Sequence, residues 1–232
     1  MFRTDYFADV WSSTDGRTWD CVTTSAEWGK RSQMAAAVFR DKIWLYGGTT
    51  REGDPWSNSI DLWYTTDGVH FAGRPAIDGE RSIGAGASLV VHDERLWLFS
   101  GRYYRVGEVI YEVSSVWASS PDGMTWTRVV DFAPWWPLRH AQAVSCGGRL
   151  WLIGGRTAYG ATSEVWSSRD GITWEPAAWG QWPARDSHTA LAHRNRIWLM
   201  GGRNGPFFDN WFSDIWYSFD PLAGARSWKR YR

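Results

Sequence analysis

One three-residue motif recurs five times along this chain, and its spacing restricts the fold more than any other feature. It appears as DVW (9–11), DLW (61–63), SVW (115–117), EVW (164–166) and DIW (214–216). The tryptophans fall at 11, 63, 117, 166 and 216, so successive steps are 52, 54, 49 and 50 residues. A second anchor precedes the last four: IWLYGG (43–48), LWLFSG (96–101), LWLIGG (150–155) and IWLMGG (197–202). A third follows each motif after a short turn, as TW (18–19), HF (70–71), TW (125–126), TW (173–174) and SW (227–228). A fixed period of this length calls for stacked supersecondary units rather than one irregular fold.

Each unit reads as four strands. The first is small and apolar: AAAVF (35–39), ASLVV (87–91), AQAVS (141–145), TALAH (189–193). The second is the I/L-W-L run, apolar throughout, which suits a strand covered on both faces. The third carries the recurring tryptophan motif, and the fourth starts at T-W after a turn rich in Asp-Gly, a strong hairpin signal. No segment keeps a helical period. Four short antiparallel strands per repeat describe the blades of an all-β propeller. Four complete blades are expected, at about 31–73, 81–130, 139–177 and 185–231. A half blade at 9–23 precedes them and supplies only third and fourth strands.

The connections from first to second strand are tight, as at 40–42 and 193–196. Those from second to third strand are long, at 49–59, 102–113, 156–163 and 203–213, as is the fourth-to-first connection at 133–139. In a blade both long sets emerge on one face, where variable loops on a repeated scaffold usually carry binding.

An apolar strand ending in a Gly-Gly pair, followed by tryptophans at set distances, resembles the kelch repeat. The resemblance runs from Asp9 to Trp228, with Ser100 in place of one glycine and Phe71 in place of one tryptophan. Kelch propellers commonly close with six or seven blades. The expectation is therefore an N-terminally truncated chain, with a five-unit ring holding one two-stranded blade as the alternative. The turns STDGRTW (13–19) and SRDGITW (168–174) also resemble the Asp-box of sialidases, one residue short between Asp and Gly. The shortening favours the kelch reading.

Charge is balanced, with 25 basic and 25 acidic residues, which leaves no electrostatic footprint for nucleic acid. No apolar run approaches a membrane span, and the first residues lack the apolar core of a signal peptide. The compartment stays open, as does the pairing of the two cysteines, Cys21 and Cys146.

Of twenty tryptophans, thirteen sit at the three anchors, and Trp28, Trp136 and Trp182 each stand three residues before an arginine, so they too belong to the repeat. Trp56, Trp135, Trp179 and Trp211 escape the pattern and lie in long loops, suited either to stacking on a ligand or to covering blade edges. Arg31, Arg81, Arg139 and Arg185 begin the first strands. They are expected to ring one mouth of the axis, joined by Arg102, Arg156 and Arg203 after the glycine pairs. Such a ring would bind a carboxylate or phosphate bidentately. The alternative, which repetition in every blade favours, is that each bonds a neighbouring carbonyl or a carboxylate such as Asp61 or Glu164. Asp15, Asp67, Asp122 and Asp170 are expected to fold their own turns rather than hold calcium.

No metal or other cofactor is expected. The resemblance to galactose oxidase, a kelch-type propeller, implies a copper site of two histidines, two tyrosines and a Tyr–Cys crosslink, and no matching tyrosine motif stands here. Asp54, Glu108, Asp186 and Asp209 are carboxylates available for glycoside hydrolysis, with no spacing that selects two. The leading expectation is a non-catalytic propeller binding a protein or glycan through its long-loop face. The alternative is an enzyme acting on an acidic sugar, as the resemblance to sialate epimerases and sialidases implies. Open propeller edges would allow self-association.

Overall fold

The computed structural model describes residues 6–50, 59–74, 77, 84–106, 109–205, 210–218 and 228–231, with backbone alone at 101–106, 109–113 and 178–179. Among these residues the chain is all β, and four antiparallel four-stranded sheets are arranged as the blades of a propeller. Blade 1 is β3 (Ala35–Phe39), β4 (Lys42–Tyr46), β5 (Leu62–Thr65) and β6 (Ala72–Arg74). Blade 2 is β7 (Ser88–His92), β8 (Arg95–Val106), β9 (Val109–Ser119) and β10 (Trp126–Val130). Blade 3 is β11 (Gln142–Cys146), β12 (Arg149–Ile153), β15 (Glu164–Ser168) and β16 (Glu175–Trp179), with a small hairpin, β13 (Arg156–Thr157) and β14 (Gly160–Ala161), above it. Blade 4 is β17 (Thr189–His193), β18 (Arg196–Met200), β19 (Ile215–Ser218) and β20 (Trp228–Arg230). A separate two-stranded sheet, β1 (Val10–Ser12) with β2 (Asp20–Thr23), precedes them.

Local chemistry sets the turns. Arg40–Asp41, Asp93–Glu94 and Arg194–Asn195 all take the left-handed conformation, as do Gly147–Gly148, so each first hairpin closes in two residues with the twist its strands need. In the third-to-fourth turns the aspartate folds its own loop. Asp170 Oδ1 accepts the Ile172 and Thr173 amides at 2.9 and 2.7 Å, and Asp15 and Asp67 do the same in theirs. One expectation changes in blade 2. The stretches 102–106 and 109–113 are not loop but an extension of the β8–β9 strand pair, from Arg102↔Val113 to Val106↔Val109. Their content of valine, isoleucine and tyrosine fits a pleated ladder.

Blades pack forward face to rear face. Trp44 and Tyr46 of blade 1 meet Leu96, Leu98 and Trp117 of blade 2. Trp97 and Phe99 then meet Leu150, Leu152 and Trp174, and Trp151 and Ile153 meet Ile197, Leu199 and Trp228. The indole Nε1 of Trp44, Trp97 and Trp151 each donates to the carbonyl five residues earlier, at 3.1, 3.0 and 2.9 Å, so the ring is buried with its polar atom satisfied. The next blade meets it with a turn glycine: a Cβ on Gly123 would stand 2.6 Å from the Trp44 ring, and one on Gly171 2.0 Å from Trp97.

A backbone relay runs beside the innermost strands. Gly86 N–H donates to Gln33 O (3.2 Å), His140 N–H to Gly86 O (2.9 Å) and Ser187 N–H to His140 O (3.4 Å). All four residues have positive φ, between 55° and 72°. Innermost strands pack β3 on β7, β7 on β11 and β11 on β17, and no comparable strand packing among the described residues returns from β17 to β3. The β1–β2 sheet covers the rear of blade 1, where Ala8 and Val10 meet Leu45, Trp63 and Phe71.

Candidate functional site on the loop face of blades 3 and 4

The strand-one arginines divide. Arg31 is 8% exposed and grips Asp61 with both terminal nitrogens (2.7 and 3.2 Å), while also donating to the Gly47 and Trp28 carbonyls. Arg185 is fully buried, with Asp214 at 2.7 and 3.1 Å and the Gly201 carbonyl at 2.7 Å. These two guanidiniums brace the first strand against the third within one blade, which removes them from any ligand set.

Among the described residues, the backbone register sets arginine at the bracing position only in blades 1 and 4. Gly48 N–H bonds Gly84 O just as Gly155 N–H bonds Arg185 O, so Gly84 holds this position in blade 2. In blade 3 the position falls to buried Leu138, because Arg139 pairs with Arg156 as Asp186 pairs with Arg203. Arg139 is thus one residue beyond the bracing position. Arg81 and Trp56 lie outside the described residues, as do Asp54, Glu108 and Asp209, and Arg102 and Trp179 are described by their backbone alone.

The same shift corrects the tryptophans. Trp135 is 5% exposed and stands edge-on to Trp174 with centroids 4.9 Å apart, as Trp182 does to Trp228 (4.2 Å) and Trp28 to Phe71 (6.2 Å). It is the repeat's core residue, three before Leu138. Its neighbour Trp136, which its spacing from Arg139 places in the repeat, is 62% exposed on the loop.

The side chains that do converge surround Asp186. This carboxylate is fully buried and receives Arg156 Nε (2.7 Å), Arg203 Nε (3.1 Å) and the Ser187 hydroxyl (2.8 Å). Burial alone would raise its pKa, but those donors outweigh it and hold the carboxyl below the usual range. Arg156 also donates to the Gly205 carbonyl at 2.7 Å. His140 lies within electrostatic reach of Asp186, Arg139, Arg203 and Arg156, and its burial, opposed by Asp186 and reinforced by the three arginines, lowers its pKa to about 4. At neutral pH the cluster is three guanidiniums against one carboxylate with a neutral imidazole, a net excess of positive charge. The backbone fixes it, through the reciprocal Arg139–Arg156 and Asp186–Arg203 bridges.

One aromatic ring lies against this cluster, and an exposed pair stands on the loops that carry Arg139 and Arg156. Trp211 is 63% exposed, bridged to Arg203, with that guanidinium 5.9 Å from its ring centroid. Trp136 meets Tyr159, itself 85% exposed, edge-on at 5.7 Å. Asp186 and Tyr159 are the members that the repeat count does not single out. The signal for Asp186 was present, since it directly follows the bracing Arg185, whereas Tyr159 sits in a loop with no counterpart to align. Among the described residues no group of three or more histidine, cysteine or acidic side chains is placed to hold a metal ion, and Cys21 and Cys146 are free thiols.

The fold is that of a β-propeller. Within that class the chain is similar to the solved structure of YjhT, with a TM-score of 0.72 and 12% identity over 98% of this chain and 84% of that one. No family profile and no curated protein sequence matches it.

Proposed function

We propose that the protein is a kelch-type binding propeller whose loop face at blades 3 and 4 takes a carbohydrate bearing an acidic group. The observation that supports this reading most is the pairing of two chemistries at one place. An exposed aromatic ring suited to stacking on a sugar face, Trp211, lies against a guanidinium cluster with surplus positive charge, and two more, Trp136 and Tyr159, stand on the loops that carry Arg139 and Arg156. Arginine forks match carboxylates bidentately, and a pre-bonded cluster loses little freedom on binding. A glycan array followed by calorimetry is the test. Carboxylated glycans should bind more tightly than neutral ones, and Trp211→Ala and Trp136→Ala should each weaken binding. Binding that ignores both substitutions, or shows no preference for acidic sugars, would sink the reading.

A second reading, turnover of an acidic sugar, draws on His140, a neutral imidazole held among Arg139, Arg156 and Arg203. With its pKa lowered to about 4 the ring is a weak base at neutral pH, so this reading requires the negative charge of a bound acidic sugar beside it to raise its basicity. Assays with sialic acids on the wild type and His140→Gln separate the two readings, because binding without turnover leaves the first alone.

A further inference from the structure

Blade 2 departs from the repeat at three positions, and two of these meet in one buried place. Ser115 stands where blades 1 and 4 have Asp61 and Asp214, since each lies two residues before the third-strand tryptophan and accepts its indole N–H. Ser100 replaces the first glycine of the pair and lies directly opposite Ser115 in the ladder. Gly84 replaces the bracing arginine, so this position offers Ser115 no side chain of the kind that Arg31 and Arg185 bring to their carboxylates. Ser114 adds a third hydroxyl beside them, and all three serines are buried.

Ser100, Ser114 and Ser115 line one largely enclosed cavity of about 10 Å³ at the junction of blades 2 and 3. Phe99 walls it on the blade 2 side, and Trp135, Leu138 and Leu152 wall it on the blade 3 side. All of its lining residues belong to the described part of the chain. The hydrogen bonds inside it do not use every polar group. Each serine hydroxyl carries one donor proton and two acceptor lone pairs. Ser100 and Ser115 share one bond at 3.3 Å, Ser115 accepts from Trp117 Nε1 at 3.2 Å, and Ser114 accepts from the Leu138 amide at 3.2 Å. One of the three hydroxyl protons is thereby placed, and among the described residues the other two have no acceptor. Buried polar groups in native proteins are paired with protein or with ordered water.

We propose that this cavity binds one water molecule, held by the hydroxyls of Ser100, Ser114 and Ser115. The water accepts the two remaining hydroxyl protons and donates its own to the serines' free lone pairs, within the two to four bonds typical of an internal water. The cavity is of the size that one water needs and admits no larger guest. An ion does not fit, because the site is buried and its donors and acceptors are all neutral. An apolar void would stay dry, but here three hydroxyls converge. In blade 2 the water replaces the arginine fork of blades 1 and 4. It ties the second and third strands to the segment at Leu138 that leads into blade 3.

Two measurements on the full chain test this. A high-resolution crystal structure of the wild type should show one density peak in the cavity that refines as water, at about 2.5–3.2 Å from at least two of the three hydroxyl oxygens. Oxygen-17 magnetic relaxation dispersion counts the waters held longer than the protein takes to tumble. Ser100→Val puts methyl groups where the hydroxyl stood, and should lower that count by about one against wild type. A near-ultraviolet circular dichroism spectrum matching wild type shows the variant to be folded, and if it does not match, the wild-type crystal structure decides alone. No peak, a peak that refines as an ion, or an unchanged count in a folded Ser100→Val variant would each overturn the proposal.

Discussion

Arg185 and Asp214 form a two-bond ion pair, at 2.7 and 3.1 Å, around a guanidinium with no exposed side-chain surface. Asp214 also accepts from Trp216 Nε1 at 2.8 Å, so one carboxylate ties the first strand's approach to the third strand's tryptophan. Asp61 repeats this with Arg31 and Trp63 in blade 1. Blades 2 and 3 do without it, using Gly84 and Leu138.

The pair is therefore replaceable but not divisible. Arg185→Leu alone strands Asp214, 8% exposed, and should cost about 3–5 kcal/mol of unfolding free energy. Arg185→Leu with Asp214→Ser, which imitates blade 2, where Ser115 takes the place of the carboxylate, should recover most of that loss. Urea titration of the two variants checks both values.

Trp135 and Trp136, adjacent in sequence, should respond oppositely. Trp135→Ala removes the ring packed on Trp174 and should cost about 3–5 kcal/mol. Trp136→Ala should leave stability within about 0.5 kcal/mol and change only ligand binding. Thermal unfolding with a binding assay distinguishes them.

Gly16 and Gly171 share a left-handed conformation, at φ 69° and 72°, but not an environment. Gly16→Ala should cost only the conformational term, about 1–2 kcal/mol. Gly171→Ala adds a clash with the Trp97 ring and should cost about 1–3 kcal/mol more. Denaturant midpoints compared at equal m-value give the difference.

The pH response follows from two buried histidines. His140 and His188 both have pKa values lowered to about 4, chiefly by burial, and neither ring nitrogen of His188 makes a well-formed hydrogen bond. The unfolded chain binds these protons near pH 6.5 and the folded chain does not. Stability is therefore full above pH 6.5 and falls as pH drops toward 4, by about 3 kcal/mol for each histidine. Asp186 and Asp214 have lowered pKa values, so their contribution is lost only below the usual carboxylate range. Unfolding measured from pH 7 to 4 should show the histidine loss, and His188→Gln should remove about half of it.

The architecture was legible in the sequence because each repeated anchor has one physical job. The IWL runs are buried strands, the glycine pairs take positive φ, and the Asp-Gly turns fold on their own carboxylates. The site was less legible, because reading it requires register to a single residue. Aligning on Arg139 instead of Leu138 exchanged Trp135 with Trp136 and placed a bracing arginine where blade 3 has none. Only the backbone pairing of Arg139 with Arg156 reveals the offset. The role of Asp186 likewise depends on Arg156, thirty residues away, reaching across from the neighbouring blade.

The relay from Gln33 through Gly86 and His140 to Ser187 has a thermodynamic consequence. Among the described residues the innermost strands pack in series, β3 on β7, β7 on β11 and β11 on β17, so these four blades are coupled with one interface term per junction. Along this series a perturbation at blade 1 passes through blades 2 and 3 before it reaches blade 4, and attenuates at each step. Blades 2 and 3, each packed on a described blade at either side, should then open last on melting.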